Sequence, residues 1–111
     1  MLFVCGRNLQ RSPTAARIYA TDPRIEARSA GVSESSRHRL EARDLAWADL
    51  VLVMEQKHKA RIRETFREMA LPPIESLEIP DDYAFLDDEL VQLLREGTES
   101  CLSALFGDDT V

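Results

Sequence analysis

Cys5, Arg11 and Ser12 stand within one short stretch, Leu2-Phe3-Val4-Cys5-Gly6-Arg7-Asn8-Leu9-Gln10-Arg11-Ser12-Pro13. Their types and spacing suit attack by a sulfur nucleophile on a centre that carries anionic oxygens. An apolar run ends at Cys5, five residues turn, and Ser12-Pro13 opens a predicted helix with Ser12 as N-cap and Pro13 at the first helical position. A loop between a strand's carboxyl end and a helix's amino end presents backbone N–H groups to an anion, and the helix dipole adds partial positive charge. A thiol in that field ionises below its usual pKa of about 8.5. Cys5 is therefore the candidate nucleophile, and Arg11 the planar clamp for phosphoryl oxygens. Gly6, Arg7, Asn8, Leu9, Gln10, Arg11 and Ser12 are the candidate phosphate-binding set. Asn8 suits the turn because Asn tolerates left-handed backbone and bonds its neighbours. A Cys followed six residues later by Arg is a common pattern in a chain with 12 Arg; what sharpens it is the predicted strand before, the helix after, and the absence of any acidic residue from Met1 to Thr21.

The elements that must hold this loop alternate. Residues 2–5 read as a buried strand and Pro13 to about Ala20 as a helix. Ile25 to Ser29 reads as an edge strand, 32–40 as loop, and 41–48 as a short helix carrying Leu45 inward. Leu50 to Met54 is the strongest strand pattern, continuous and apolar as a strand buried on both faces should be. An amphipathic helix is expected from about Gln56 to Ala70, followed by a short strand at Leu77–Ile79 and a loop through Phe85. A last helix, capped by Asp87 or Asp88, runs to about Phe106. Its inward stripe is Leu90, Leu94, Cys101, Leu102, Leu105 and Phe106, with Gly97 a point of kinking or fraying. Strands alternating with helices predict an α/β fold with a parallel sheet and helices on both faces. Ligands bind such sheets beyond the carboxyl ends of the strands, where the loops after Cys5 and Ile79 meet. That edge brings the carboxylates Asp81 and Asp82 to Cys5, and by position either could serve as an acid.

The segment V-C-G-R-N-L-Q-R-S-P-T-A resembles the signature loop of the low-molecular-weight protein tyrosine phosphatases. Ser29-Ala30-Gly31, Ala48-Asp49-Leu50-Val51-Leu52-Val53-Met54-Glu55 and Ile79-Pro80-Asp81-Asp82-Tyr83 are similar in order and spacing. The resemblance implies a three-layer fold with four parallel strands in the order 2-1-3-4. It also implies hydrolysis of a phosphotyrosine protein or a small aryl phosphate through a phosphocysteine intermediate. It assigns the general acid to Asp81 rather than Asp82, which stands where the family pattern has Pro, and it needs no metal or cofactor. Tyr83 and Phe85 would either wall the mouth of the site or pack in the core. Three departures stand out. Gln10 replaces the second loop Cys that many members use for a reversible disulfide; the segment between Gly31 and the Leu50 strand is short; and Gly6 is smaller than the residue often found there. Together they leave the phosphate site whole and the specificity wall reduced.

Composition narrows the alternatives. The 111 residues suit one domain, and no apolar run approaches the roughly 20 residues that span a membrane. Met1 leads straight into a strand, and two Cys without a secretory segment suggest reduced thiols in a cytoplasm. The net charge of −6 and a pI near 4.9 disfavour nucleic acid and anionic lipid as partners. From Asp81 onward nine carboxylates face one base, Arg95, whereas nearly all the Arg precede residue 68. A basic site on an acidic chain fits a small phosphorylated ligand. His58, between Lys57 and Lys59 on a basic helix, is expected to be solvated; His38 falls in a loop without metal-ligand spacing. Cys101 reads as core. Competing activities are thiol-linked arsenate reduction, which needs resolving thiols where Cys101 stands alone, and a cysteine phosphocarrier, which needs neither Arg11 nor an acid loop. A phosphate-binding module without catalysis is a third.

Overall fold

The computed structural model describes residues 1–106, the side chain of Phe106 excepted. Its elements are β1 (Leu2–Cys5), α1 (Arg11–Ile18), β2 (Arg28–Gly31), α2 (Ala42–Trp47), β3 (Val51–Val53), α3 (Gln56–Thr65), β4 (Ile74–Ser76) and α4 (Asp88–Phe106). The four strands pair in parallel in the order β2-β1-β3-β4, as expected.

Strand periodicity divides the core in two. Phe3 and Cys5 of β1, with Leu52 and Met54 in and just after β3, join Ala15 in α1, Tyr19 just after it, and Leu90, Leu94 and Leu102 of α4. Leu2, Val4, Val51 and Val53 point the other way, onto Leu45 of α2 and Ile62 of α3. Because both faces are covered, β1 and β3 read as unbroken apolar runs rather than alternating ones. Phe3 and Tyr19 stack with ring centroids 6.0 Å apart.

Several element boundaries differ from expectation. Gln10, not Ser12, occupies the N-cap of α1, so Pro13 falls at the third helical position, where its missing N–H still costs no helical bond. β2 begins at Arg28 rather than Ile25. α1 and α3 end at Ile18 and Thr65, earlier than the apolar spacing implies. The last strand is Ile74–Ser76, not Leu77–Ile79. The chain nevertheless stays beside β3, with Leu77 N–H on Val53 O at 2.8 Å and Ile79 N–H on Met54 O at 2.8 Å. Between them Glu78 adopts a positive φ of 55°, which breaks the ladder.

α4 runs unbroken through Gly97. A Cβ there would lie 2.9 Å from Leu77 Cδ2, so this glycine serves close approach rather than a kink. Asp87 is the cap, its Oδ1 accepting from the N–H groups of Glu89 at 2.9 Å and Leu90 at 3.3 Å. Cys101 packs half-buried against the core, whereas Leu105 is 57% exposed instead of docked. The expected inward placement of Phe106 concerns a side chain outside the described residues.

Gly31 at the end of β2 is a second close approach. A Cβ would sit 2.2 Å from Ser36 Oγ and 2.9 Å from the backbone nitrogen of Asn8. The hydroxyl could swing away, but the Asn8 nitrogen belongs to the turn after Cys5 and cannot. Gly31→Ala is expected to cost about 1–3 kcal/mol, as overpacking does, and to lower phosphate affinity; denaturant titration and phosphate titration of the variant measure both.

Candidate active site

The turn from Gly6 to Gln10 is shaped from outside by the segment after β2. Val32 N–H donates to Cys5 O at 3.1 Å, Ser33 N–H to Gly6 O at 2.8 Å, and Arg37 N–H to Arg7 O at 3.1 Å. The Ser36 hydroxyl adds a bond to Gly6 O at 3.1 Å. Three successive carbonyls are thus drawn outward, and the peptide N–H groups are left to the other side. Asn8, with φ of 57°, curls the chain back. Among the described residues the N–H groups of Gly6, Arg7, Leu9, Gln10 and Arg11 meet no protein acceptor, while that of Asn8 points at Cys5 Sγ from 3.3 Å. Such a concavity of free amides is an anion nest.

Cys5 is 3% exposed at the carboxyl end of β1. Ser12, released from capping, places its Oγ 3.0 Å from Cys5 Sγ. The same Oγ accepts from Asn8 Nδ2 at 2.9 Å and can donate to Ala30 O at 3.3 Å. Ala30 O and the sulfur compete for the single hydroxyl hydrogen; turned to the sulfur, it joins the Asn8 N–H as a second donor to Cys5 Sγ.

Arg11 is buried, with its guanidinium aimed toward the acid loop. Nη1 donates to Glu55 Oε2 at 2.6 Å and to the Ile79 carbonyl at 2.8 Å. Nε is buried without a hydrogen-bond partner, and Asp81 Oδ1 lies 3.6 Å from it. Asp81 is therefore beside the loop as expected; Asp82 is exposed and makes no ion pair among the described residues. For Glu55, burial pushes the carboxyl up, but the Arg11 hydrogen bond and charge outweigh it and hold it below the usual range.

His58 corrects the expectation of a solvated side chain. It is 2% exposed, and its Nδ1 accepts the Glu55 N–H at 3.1 Å. Nδ1 is then unprotonated and the neutral ring carries its hydrogen on Nε2, which is buried with no hydrogen-bond partner, 3.9 Å from Glu55 Oε2. A Cβ on Gly6 would lie 3.7 Å from this nitrogen. Burial first, then the Arg11 charge, lowers the His58 pKa from 6.5 to about 4. The overlooked signal was positional: His58 precedes buried Ile62 by four residues and so shares the inward face of α3.

Tyr83 packs half-buried against the core. Phe85 is 46% and Leu9 41% exposed, one on the acid loop and one on the phosphate loop. Exposed His38 lies 3.2 Å from Asp44. Among the described residues no three His, Cys, Asp or Glu side chains gather as metal ligands do, and no helix is long and apolar enough to cross a membrane. A cleft of about 350 Å³ lies elsewhere, between α2 and α3 against Val32, Leu40, Ile62 and Phe66. Neither a Cys nor a His lines it.

The fold is that of the low-molecular-weight protein tyrosine phosphatases. A low-molecular-weight protein tyrosine phosphatase from Streptococcus pyogenes superimposes with a TM-score of 0.78 at 19% identity, covering 94% of this chain and 91% of its own. The YwlE arginine phosphatase from Geobacillus stearothermophilus is similar over 99% of this chain and 97% of its own, at 25% identity and a TM-score of 0.68. The tyrosine phosphatase Wzb from Escherichia coli K30, solved with phosphate, is 22% identical over 94% of this chain and 96% of its own, with a TM-score of 0.70. No protein-family model and no curated protein matches the chain.

A neutral His58 makes the native state reluctant to take up a proton that the unfolded chain binds near pH 6.5. Stability is therefore expected to fall as pH drops from about 6.5 to about 4, by at most ~1.4 kcal/mol per pH unit from this group. His58→Gln should flatten the difference between denaturation midpoints at pH 7 and pH 4.5; an unchanged difference would assign the acid sensitivity to carboxylates alone.

Proposed function

We propose that the protein is a cysteine-dependent phosphomonoesterase of the tyrosine phosphatase type, acting on phosphotyrosine in proteins or on small aryl phosphates. One observation carries this reading. A hydrogen-bonded Cys5 sulfur and a buried, half-engaged Arg11 flank one turn of free amides, and the Asp81 carboxylate stands 3.6 Å from that Arg.

In the proposed reaction the Cys5 sulfur anion attacks phosphorus, and the bond to the aryl oxygen breaks as the S–P bond forms. The amides of Gly6 to Ser12 and the guanidinium of Arg11 take the charge of the equatorial oxygens. Preorganised donors of this kind are often the largest contribution to such catalysis. Asp81 gives its proton to the departing phenolate and then takes one from the water that cleaves the phosphocysteine. Asp81 is preferred to Asp82 because only Asp81 neighbours Arg11 among the described residues. Leu9 and Phe85 offer exposed apolar surface on the two loops, which fits an aromatic leaving group. Similarity to the Geobacillus arginine phosphatase makes phosphoarginine the substrate to compare. Arsenate reduction finds less support, since Cys101 is half-buried on α4 against the core.

Cys5→Ser should lose at least about a thousandfold in aryl phosphate turnover while inorganic phosphate still binds; retained turnover refutes the mechanism. Asp81→Asn should slow hydrolysis most for poor leaving groups, with Asp82→Asn close to wild type. An equal loss in both variants would move the acid role. Faster turnover of phosphoarginine than of phosphotyrosine peptides would transfer the substrate assignment.

A further inference from the structure

We propose that Glu55 is a positioning residue for Arg11: with the Ile79 carbonyl it occupies both hydrogens of one guanidinium nitrogen and leaves the opposite edge for an oxyanion. The inference rests on the phosphatase reading and assigns a residue that acts through the clamp rather than on substrate.

A guanidinium has five N–H donors in a rigid plane. Nη1 carries two of them, and its two acceptors are Glu55 Oε2 at 2.6 Å and Ile79 O at 2.8 Å. That nitrogen is fully used. Among the described residues neither Nε nor Nη2 donates a hydrogen bond; Nε is buried, and the carboxylate on that side is Asp81, 3.6 Å from Nε and outside hydrogen-bond range. The Nε and Nη2 hydrogens are parallel, which is the arrangement that meets two phosphoryl oxygens together. A carboxylate that merely competed with phosphate would sit on that edge; Glu55 sits on the other corner. Its own placement is fixed by the fold. Glu55 is the N-cap of α3, its N–H goes to His58 Nδ1, and it directly follows Met54, whose N–H and carbonyl bond Val4 and Ile79 beside β3. Lys57 Nζ at 3.7 Å is the remaining charge facing it, from the solvent side.

Two effects of Glu55 on an anion oppose each other, and this makes the test sharp. Its negative charge repels phosphate, while its oxygen orients the clamp. Inorganic phosphate affinity and aryl phosphate kcat/KM are to be measured for Glu55→Gln, Glu55→Asp and Glu55→Ala, each in wild-type and Arg11→Lys backgrounds, with melting temperatures alongside. Gln keeps an acceptor and removes the charge, so phosphate should bind as tightly as in wild type or up to severalfold tighter. Asp keeps the charge and caps helices well, yet withdraws the acceptor by one methylene, so phosphate affinity should fall severalfold without loss of melting temperature. Ala should weaken phosphate about tenfold, roughly the worth of one charge-assisted hydrogen bond. In the Arg11→Lys background the Asp and Ala effects should shrink to less than about twofold, as pairwise coupling requires.

Tighter phosphate binding in Gln, Asp and Ala alike would make Glu55 a competing anion and overturn the proposal. An Asp or Ala loss that persists undiminished with Arg11→Lys would reduce Glu55 to a helix cap and overturn it too. Wild-type protein that neither binds phosphate nor hydrolyses an aryl phosphate would instead overturn the phosphatase reading, and this inference with it.

Discussion

The direction of a few peptide groups decides what this molecule can do. Between Cys5 and Arg11 the chain could face either carbonyl oxygens or amide hydrogens into the space beyond β1. The bonds from Val32, Ser33, Ser36 and Arg37 claim the carbonyls of Cys5, Gly6 and Arg7 from outside. With those oxygens engaged, a ring of amides remains on the inner side, and an anion is the complement of such a ring. The segment after Gly31, which reads in sequence as structureless and shortened, is therefore the outer brace of the phosphate loop.

The second constraint is electrostatic balance around a buried cation. Arg11 is 3% exposed, and a guanidinium out of water needs counter-charge and acceptors. Glu55 and the Ile79 carbonyl satisfy one nitrogen, and Asp81 lies near another without closing a hydrogen bond. The cation is thus stabilised without being saturated. His58 fits the same logic: burial first, and then repulsion by the neighbouring Arg11 charge, favour a neutral ring.

Strain collects at the same edge. The three non-glycine residues with positive φ are Asn8, Glu78 and Leu86 among the described residues. The first turns the phosphate loop; the other two bracket the acid loop that carries Asp81. Such backbone costs on the order of 1–3 kcal/mol for residues like Glu and Leu and persists where surrounding bonds enforce it. Leu86 N–H is held by Thr14 Oγ1 at 2.9 Å, and Glu78 sits between two bonds to β3. The acid loop is in this way tied at one end to the sheet and at the other to the helix that follows the phosphate loop.

What the sequence determined by itself was everything carried by local pattern. The apolar runs at residues 2–5 and 50–54, the breaks between them and the Cys5-to-Pro13 stretch led to a parallel α/β sheet, and the family resemblance to its strand order. They also led to Cys5 and Arg11 sharing one edge with Asp81 or Asp82, and the resemblance to the choice of Asp81. Tertiary structure decided the identities that local pattern leaves open. Ser12 is a sulfur ligand rather than a cap because Gln10 takes the helix end and Asn8 holds the hydroxyl. His58 is buried despite its basic neighbours because it lies one helical turn before Ile62, on the inward face of α3. Glu55, just beyond the end of β3, becomes the partner of an Arg 44 positions earlier. A side chain's partner depends on chain segments far away in sequence, and only the folded arrangement, in which burial drives most polar groups to find one, specifies which partner it is.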